Sequence, residues 1–100
     1  METLRLWAAV TRENGLPTEH LRDSHRAYMR ELAAEQLVFA SGPAAVDHGE
    51  RPFGGITVLQ VANREQAEAI MSEEPYIRAG VRTFELIAWE IRRGNDATHS

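Results

Sequence analysis

The sequence predicts a ferredoxin-like α+β domain of element order βαββαβ, in which two helices cover one face of a four-stranded antiparallel sheet. Two segments have the spacing of apolar residues that is typical of helices, at residues 19–35 and 64–72. Four segments have the alternating or continuously apolar character of strands, at residues 3–10, 37–41, 56–61 and 81–91. Each helix connects two strands, so the chain contains two strand–helix–strand units with right-handed crossovers.

The first strand and the first helix have separate signals. In the strand, apolar residues alternate with Arg5 and Trp7 and share one face: Leu4, Leu6, Ala8 and Val10. Asn14-Gly15 indicates a turn, and Thr18 is the expected N-cap of the helix, because its hydroxyl could accept a hydrogen bond from the first turn. Glu19 then stands where the helix dipole favours a negative charge.

The second half of the chain is punctuated by glycine and proline. The second strand is predicted to stop at Gly42-Pro43, and the polar loop 47–52 that follows should be exposed. Gly54-Gly55 leads into the third strand, where either hairpin geometry or a close approach of two backbones would explain the pair. Asn63 is the expected N-cap of the second helix, which Pro75 ends, and residues 76–80 are predicted to form a short turn.

The last strand is apolar on both faces. Ile87, Trp89 and Ile91 lie on one face together with Val81, whereas Phe84, Leu86 and Ala88 lie on the other. Two helices can cover only one face of a four-stranded sheet. The second apolar face therefore needs another partner to shield it from water.

Composition narrows the class of protein. The chain of 100 residues predicts one domain, residues 1–93, followed by a polar tail, residues 94–100, that we expect to be disordered. A formal charge of −4 argues against nucleic-acid binding, and the absence of cysteine excludes disulfides, thiolate nucleophiles and zinc sites with cysteine ligands. No apolar run is long enough to span a membrane, and the N-terminus lacks the form of a signal peptide. The expected location is the cytoplasm.

His25 is the residue on which a functional interpretation depends. It lies on the same helical face as Leu21, Tyr28 and Leu32, so the ring is directed towards the sheet. On this evidence alone, a hydrogen-bonded core or interface histidine is the simpler interpretation. His20 and His25 are five residues apart and do not share a helix face, and no metal-binding, nucleotide-binding or G-x-S-x-G motif is present. We therefore predict no metal and no cofactor.

An ordered set of motifs adds to this interpretation. It comprises Arg22-x-x-His25-x-x-Tyr28-Met29-x-x-Leu32, an apolar strand ending at Gly42-Pro43, then Gly54-Gly55 and Glu74-Pro75-Tyr76-x-x-Ala79-Gly80. Together these resemble the YciI-like (YCII-related) family over about residues 20–90. The resemblance implies a dimeric α+β barrel, in which a second copy of the chain covers the open face of the sheet. It thus implies a homodimer.

The resemblance also implies a catalytic pair, formed by His25 and Glu74. The carboxylate would hold one ring nitrogen and make the other more basic. The family commonly has aspartate at the position of Glu74, and the longer side chain should change the reach of the pair. Glu73 is an alternative partner, although we expect it to be solvated. The family also commonly has a glycine at Gln36, where it would form a left-handed helix cap.

Four further residues are candidates for substrate binding: Arg22, Ser41, Gly42 and Tyr76. Arg22 lies one helical turn before His25 and could bind an anionic group, or it could form a surface ion pair with Glu19 or Asp23. Ser41 could donate to a ligand or to the strand end. Tyr76 is more typical of a pocket wall than of a catalyst.

Two functions remain open from the sequence. One is a cofactor-independent enzyme, an isomerase or lyase, that uses His25 and Glu74 on a small cyclic or aromatic anionic metabolite. The other is a non-catalytic homodimer that binds a small molecule or serves as an accessory protein. Neither hypothesis involves nucleic acid or a membrane. A half-buried His25 that contacts Glu74 beside a cavity would favour the enzyme.

Overall fold

The computed structural model describes residues 3–92 and has the predicted ferredoxin-like α+β fold. Its elements are β1 (Leu4–Glu13), a 3-10 turn (Glu19–Leu21), α1 (Arg22–Ala34), β2 (Val38–Ala44), β3 (Gly54–Leu59), α2 (Arg64–Glu73), α3 (Pro75–Arg78) and β4 (Arg82–Ile91). The strands form one antiparallel sheet in the order β2-β3-β1-β4. The tail predicted at residues 94–100 lies outside the described residues. Between residues 3 and 92, no helix has the length and apolar character needed to cross a bilayer.

Within residues 3–92, helices cover one face of the sheet and none covers the other. On the covered face, Ala9 and Leu59 pack with Ala67 and Met71 of α2, and Phe84 and Leu86 of β4 extend this core. On the opposite face the strands carry a smaller cluster, which contains Leu6, Ala8, Val58 and Ile91. Large apolar side chains on this second face remain 39–46% exposed: Leu4, Ile56, Ile87 and Trp89. The two-sided apolar character predicted for β4 is therefore confirmed.

Strand β2 extends further than the sequence predicted. It passes through Gly42-Pro43 and ends at Ala44, with Pro43 opposite Gly55 of β3. The predicted stop at Gly42-Pro43 is wrong because β2 is an edge strand, which pairs on one side only and tolerates a residue without an N–H group. As a consequence, Ser41 and Gly42 lie within the sheet.

The glycine pair is explained by a close approach of two backbones. Gly54 begins β3, so the strand starts two residues before the predicted Ile56 and ends at Leu59 rather than Val61. A Cβ atom on Gly54 would lie 1.9 Å from the carbonyl oxygen of Thr11 in β1. A Cβ atom on Gly55 would lie 2.9 Å from the carbonyl oxygen of Gly42 in β2.

The ends of helix α1 differ in part from expectation. Thr18 precedes a 3-10 turn and its side chain makes no capping hydrogen bond, so its predicted role as N-cap is wrong. At the other end, Gln36 adopts a left-handed φ of 62°. The amides of Gln36 and Leu37 donate to the carbonyls of Ala33 and Leu32, which is the pattern of a Schellman cap. Glutamine therefore forms the cap that the family commonly builds with glycine.

The predicted start of helix α2 is confirmed, whereas the segment after α2 differs from the prediction. The side chain of Asn63 accepts a hydrogen bond from the amide of Gln66, which confirms the predicted N-cap. Pro75 does more than end α2, because it opens the one-turn helix α3 where a simple turn was predicted. Proline suits the first position of a helix, since that position needs no N–H donor.

Candidate active site

A histidine and a carboxylate meet between α1 and the start of α3. The Nδ1 atom of His25 is hydrogen-bonded to Oε1 of Glu74, 49 residues further along the chain. The Glu74 side chain is 3% exposed and that of His25 is 27% exposed. Because an ionised carboxylate can only accept hydrogen bonds, such a carboxylate pairs with a proton on Nδ1, and a neutral ring in this arrangement carries its lone pair on Nε2.

The local sequence fixes the position of Glu74. The residue has an extended backbone, as expected before a proline, and it is the N-cap of α3. Its second carboxylate oxygen, Oε2, accepts a hydrogen bond of 3.3 Å from the amide of Ile77. One oxygen thus binds the histidine while the other binds the helix, and the carboxylate has little freedom to turn away.

Tyr76 completes the support of the histidine ring. The rings of His25 and Tyr76 stack with their centroids 4.4 Å apart and their planes inclined by 26°. The guanidinium carbon of Arg82 lies 4.3 Å from the centroid of the same tyrosine ring. Arg82 also contacts the Glu13 carboxylate at 3.4 Å. His25 is therefore held by a hydrogen bond at Nδ1 and by an aromatic contact with Tyr76, which fixes its orientation.

These residues lie on the wall of a cavity of about 720 Å³, a size suited to a small-molecule ligand. All six candidate residues from the sequence line this cavity: Arg22, His25, Ser41, Gly42, Glu74 and Tyr76. The alternative partner Glu73 does not, because it is exposed and contacts Arg78 at 3.2 Å. His20 and His48 are exposed as well. The structure thus brings the predicted residues together at one site, while their functional roles remain predictions.

Several charged residues of the cavity were missed by the sequence reasoning. Arg26 and Arg30 of α1, Arg51 of the β2–β3 loop and the pair formed by Glu13 and Arg82 all line it. One signal was available, because Arg22, Arg26 and Arg30 follow each other at four-residue spacing and share a helical face. The others could not be found in this way, since they come from strand ends and a loop that are distant in sequence.

Metal ligands do not cluster in the described part of the chain. Residues 3–92 contain no group of three histidine or acidic side chains that could hold a metal ion. The cavity wall carries the imidazole of His25 and several hydrogen-bond donors.

Tyr28 lies behind the site and links the two long helices. Its hydroxyl donates a 2.6 Å hydrogen bond to the carbonyl of Ile70, in the last turn of α2, where helix carbonyls lack partners within the helix. Burial raises the pKa of the Tyr28 hydroxyl above its ordinary value of 10.0. Neighbouring carboxylates, among them those of Glu73 and Glu74, raise this pKa further.

This arrangement predicts a stability difference that depends on pH. At pH 8 we expect Tyr28→Phe to lower the free energy of unfolding by about 1 kcal/mol, because the Ile70 carbonyl loses its donor. The neutral tyrosine stabilises the fold fully below its unfolded pKa of about 10, and this contribution is lost as pH rises through the raised folded pKa. The difference between wild type and Tyr28→Phe should therefore shrink above about pH 10. Urea unfolding of both proteins from pH 8 to 11 measures it, and a constant difference would contradict the assignment.

Fold and site together define a ferredoxin-like α+β domain that carries a histidine–carboxylate pair on the wall of a ligand-sized cavity. The chain belongs to the YCII-related domain family, whose sequence model matches residues 4–90. An uncharacterized protein of Haemophilus influenzae is 33% identical over 66 residues, which cover 61% of this chain and 67% of that protein. The resemblance drawn from the motifs is thereby confirmed.

A solved structure shows the same fold. It is 5-chloro-2-hydroxyhydroquinone dehydrochlorinase (TftG) from Burkholderia phenoliruptrix, in complex with 2,5-dihydroxybenzoquinone. The TM-score is 0.64 with 14% sequence identity, and the match covers 90% of this chain and 96% of the dehydrochlorinase. At this level of identity the similarity establishes the fold.

Proposed function

We propose that the chain is a cofactor-independent enzyme, an isomerase or lyase, that moves a proton on a small cyclic or aromatic anionic metabolite. The observation that carries the proposal is the position of the His25 ring and its contact with Glu74. Its Nδ1 is bonded to the buried carboxylate of Glu74, and Nε2 has no hydrogen-bond partner among residues 3–92. The ring lies on the wall of a cavity large enough for such a metabolite.

In this mechanism Nε2 is the general base. It would take a proton from a ring hydroxyl or from an acidic ring carbon, and Glu74 would stabilise the imidazolium that forms. The released electron pair moves into the ring, where it either expels a leaving group at another position or makes a second carbon basic. In the first case the reaction is an elimination. In the second case the imidazolium returns the proton at the new carbon, and the reaction is an isomerisation.

Two further observations support an enzyme of this class. Arg22 lines the cavity one helical turn before His25 and can neutralise an anionic substituent of the ring. In addition, the structurally similar protein from Burkholderia is by name a dehydrochlorinase of a hydroxylated ring, an elimination, and its structure contains a quinone ligand. The proposal for this chain rests on its own histidine, and the similarity supplies the first substrates to test.

The experiment screens small lactones, aromatic acids and chlorinated hydroxyhydroquinones for binding by thermal shift and for turnover by NMR. We expect His25→Gln to reduce turnover of an accepted compound by roughly 10²–10⁴-fold, the usual contribution of a general acid or base, while binding is retained. His48→Gln is the matched control, because His48 lies in an exposed loop outside this cavity.

Two results would contradict the enzyme proposal. Turnover that survives in His25→Gln would show that another group performs the chemistry. Binding of several compounds without turnover of any would favour the alternative function, a non-catalytic protein that binds small molecules or assists a partner.

We also propose that two copies of the chain associate through the face of the sheet that lacks helices. The reason is the set of half-exposed apolar side chains there, Leu4, Ile56, Ile87 and Trp89, which a second copy could bury. A twofold arrangement places the same patch on both copies, so one apolar surface is sufficient.

Light scattering coupled to size exclusion tests this association. We expect the mass of two chains for the wild type at micromolar concentration and of one chain for the double variant Ile87→Glu/Trp89→Glu. A charge pair placed on exposed helix positions, Ala69→Glu/Ser72→Glu, should leave the wild-type mass unchanged. A wild type with the mass of one chain would contradict the proposal.

A further inference from the structure

The cavity beside His25 is strongly positive in a protein that is acidic as a whole. Five arginines line it, namely Arg22, Arg26, Arg30, Arg51 and Arg82, whereas the whole chain has a formal charge of −4. Among residues 3–92, only two carboxylates, those of Glu13 and Glu74, line the same space. The cavity therefore has an excess of positive charge, which favours an anionic ligand.

In the part of the chain that the structure describes, the two carboxylates leave three of these arginines without an ion pair. Glu13 contacts Arg82 at 3.4 Å and Arg51 at 3.7 Å. Glu74 is engaged with His25 and with the amide of Ile77. Within residues 3–92, Arg22, Arg26 and Arg30 form no ion pair with a carboxylate, although Glu19 and Asp23 stand nearby on the same helical segment.

The three unpaired arginines form a row along α1. Their four-residue spacing places them on one face of the helix, where like charges repel and lower helix stability. All three are exposed, so no packing contact in the core requires them. A row that weakens its own helix and faces a cavity is explained by a ligand that neutralises it.

The length of the row indicates more than one anionic group. Arg22 and Arg30 are eight residues apart, which corresponds to about 12 Å along the helix axis. Arg22 lies one helical turn before His25, so it can serve an anionic group next to the reacting position. Arg30 lies on the C-terminal side of His25, and Arg26 stands between Arg22 and Arg30 in the row. A ligand with a single carboxylate could not reach both ends of the row.

We propose that Arg26 and Arg30 form a second anion-binding subsite, distinct from the position at His25, and that the substrate is a dianion whose two anionic groups are widely spaced. The inference deepens the proposed function by naming the class of substrate. Guanidinium groups bind carboxylate or phosphate through paired N–H donors, so either group on the distal end of the substrate would fit.

Binding of benzoate and terephthalate to the whole chain tests the proposal without requiring turnover. The two probes share one ring, and terephthalate adds a second carboxylate at the opposite end. By isothermal titration we expect terephthalate to bind at least about tenfold more tightly than benzoate, equivalent to about 1.4 kcal/mol. In Arg26→Gln/Arg30→Gln this preference should disappear, because the affinity for terephthalate falls by more than the affinity for benzoate.

A matched control separates a local subsite from general charge. Arg5→Gln/Arg78→Gln also removes two positive charges, but from exposed positions outside the cavity. This variant should retain the preference for terephthalate. His25→Gln should also retain the preference for terephthalate, because the second subsite does not include His25. The titration therefore tests the subsite independently of the enzyme proposal. The proposal is overturned if terephthalate binds no better than benzoate, if it does not bind at millimolar concentration, or if the control loses the preference equally. Repeating the titration with 4-phosphonobenzoate shows whether the subsite prefers phosphonate or carboxylate.

Discussion

Replacing Gly54 by alanine is expected to cost more than about 3 kcal/mol of the free energy of unfolding, a large part of the stability of a domain this small. The new Cβ would lie 1.9 Å from the carbonyl oxygen of Thr11. That oxygen belongs to the backbone of β1, so relief requires the two central strands to separate rather than a side chain to turn. Urea unfolding followed by circular dichroism measures the loss, if the variant folds at all.

Two other glycines provide a graded control. A Cβ on Gly55 would meet the carbonyl oxygen of Gly42 at 2.9 Å, and a Cβ on Gly42 would meet nothing within 4 Å. Gly55→Ala should therefore cost about 1–2 kcal/mol, and Gly42→Ala should stay within about 1 kcal/mol of the wild type. Equal unfolding midpoints for Gly54→Ala and Gly42→Ala would show that the two strands are not so close.

Removal of the Glu74 side chain has the second large expected effect. We expect Glu74→Ala to lower the free energy of unfolding by about 2–4 kcal/mol, because it deprives a half-buried histidine of its partner and α3 of its cap. Glu74→Gln should lower the free energy of unfolding by less, because its amide oxygen can still accept from Nδ1–H. Its NH₂ group cannot accept from the amide of Ile77, so the hydrogen bond to α3 is lost. In Glu74→Ala the proton of the His25 ring is free to move to Nε2, which long-range ¹H–¹⁵N NMR detects directly.

The adjacent residue is the natural control. Glu73 is exposed and contacts only the exposed Arg78 among the described residues, so Glu73→Ala should change stability by less than about 0.5 kcal/mol. If Glu73→Ala and Glu74→Ala were equally destabilising, the burial and hydrogen bonds of Glu74 would not be what stabilises this junction. If the histidine proton stayed on Nδ1 in Glu74→Ala, the carboxylate would not be what fixes the ring.

Local sequence determined the type and order of the main elements. The alternation around Leu6 and Ala8 and the helical spacing through Tyr28 and Leu32 each depend on which side of one element is buried. Such patterns are visible because neighbours along the chain report on the same surface. The structure differs from the local signals where pairing between strands overrides them. Pro43 lies inside an edge strand, which accommodates it, and Gly54 begins β3 although the sequence predicts a strand start at Ile56.

The candidate site was likewise predicted only where signals within one segment or the family motifs specify it. Helical spacing predicted that His25 faces the sheet, and the resemblance to the family supplied Glu74 as its partner. The charged environment was not predicted, because Glu13, Arg51 and Arg82 reach the cavity from separate elements.

The βαββαβ order and the family could be predicted from the sequence, because these depend on periodicity and on motifs within short segments. The contact between Nδ1 of His25 and the buried carboxylate of Glu74, 49 residues away, becomes visible only in the folded chain. The folded chain also shows that the arginines of α1, which form no ion pair within residues 3–92, line the same cavity. Neither feature could be predicted from residue spacing within one helix or strand, because hydrogen bonds and local charge depend on distances across the fold.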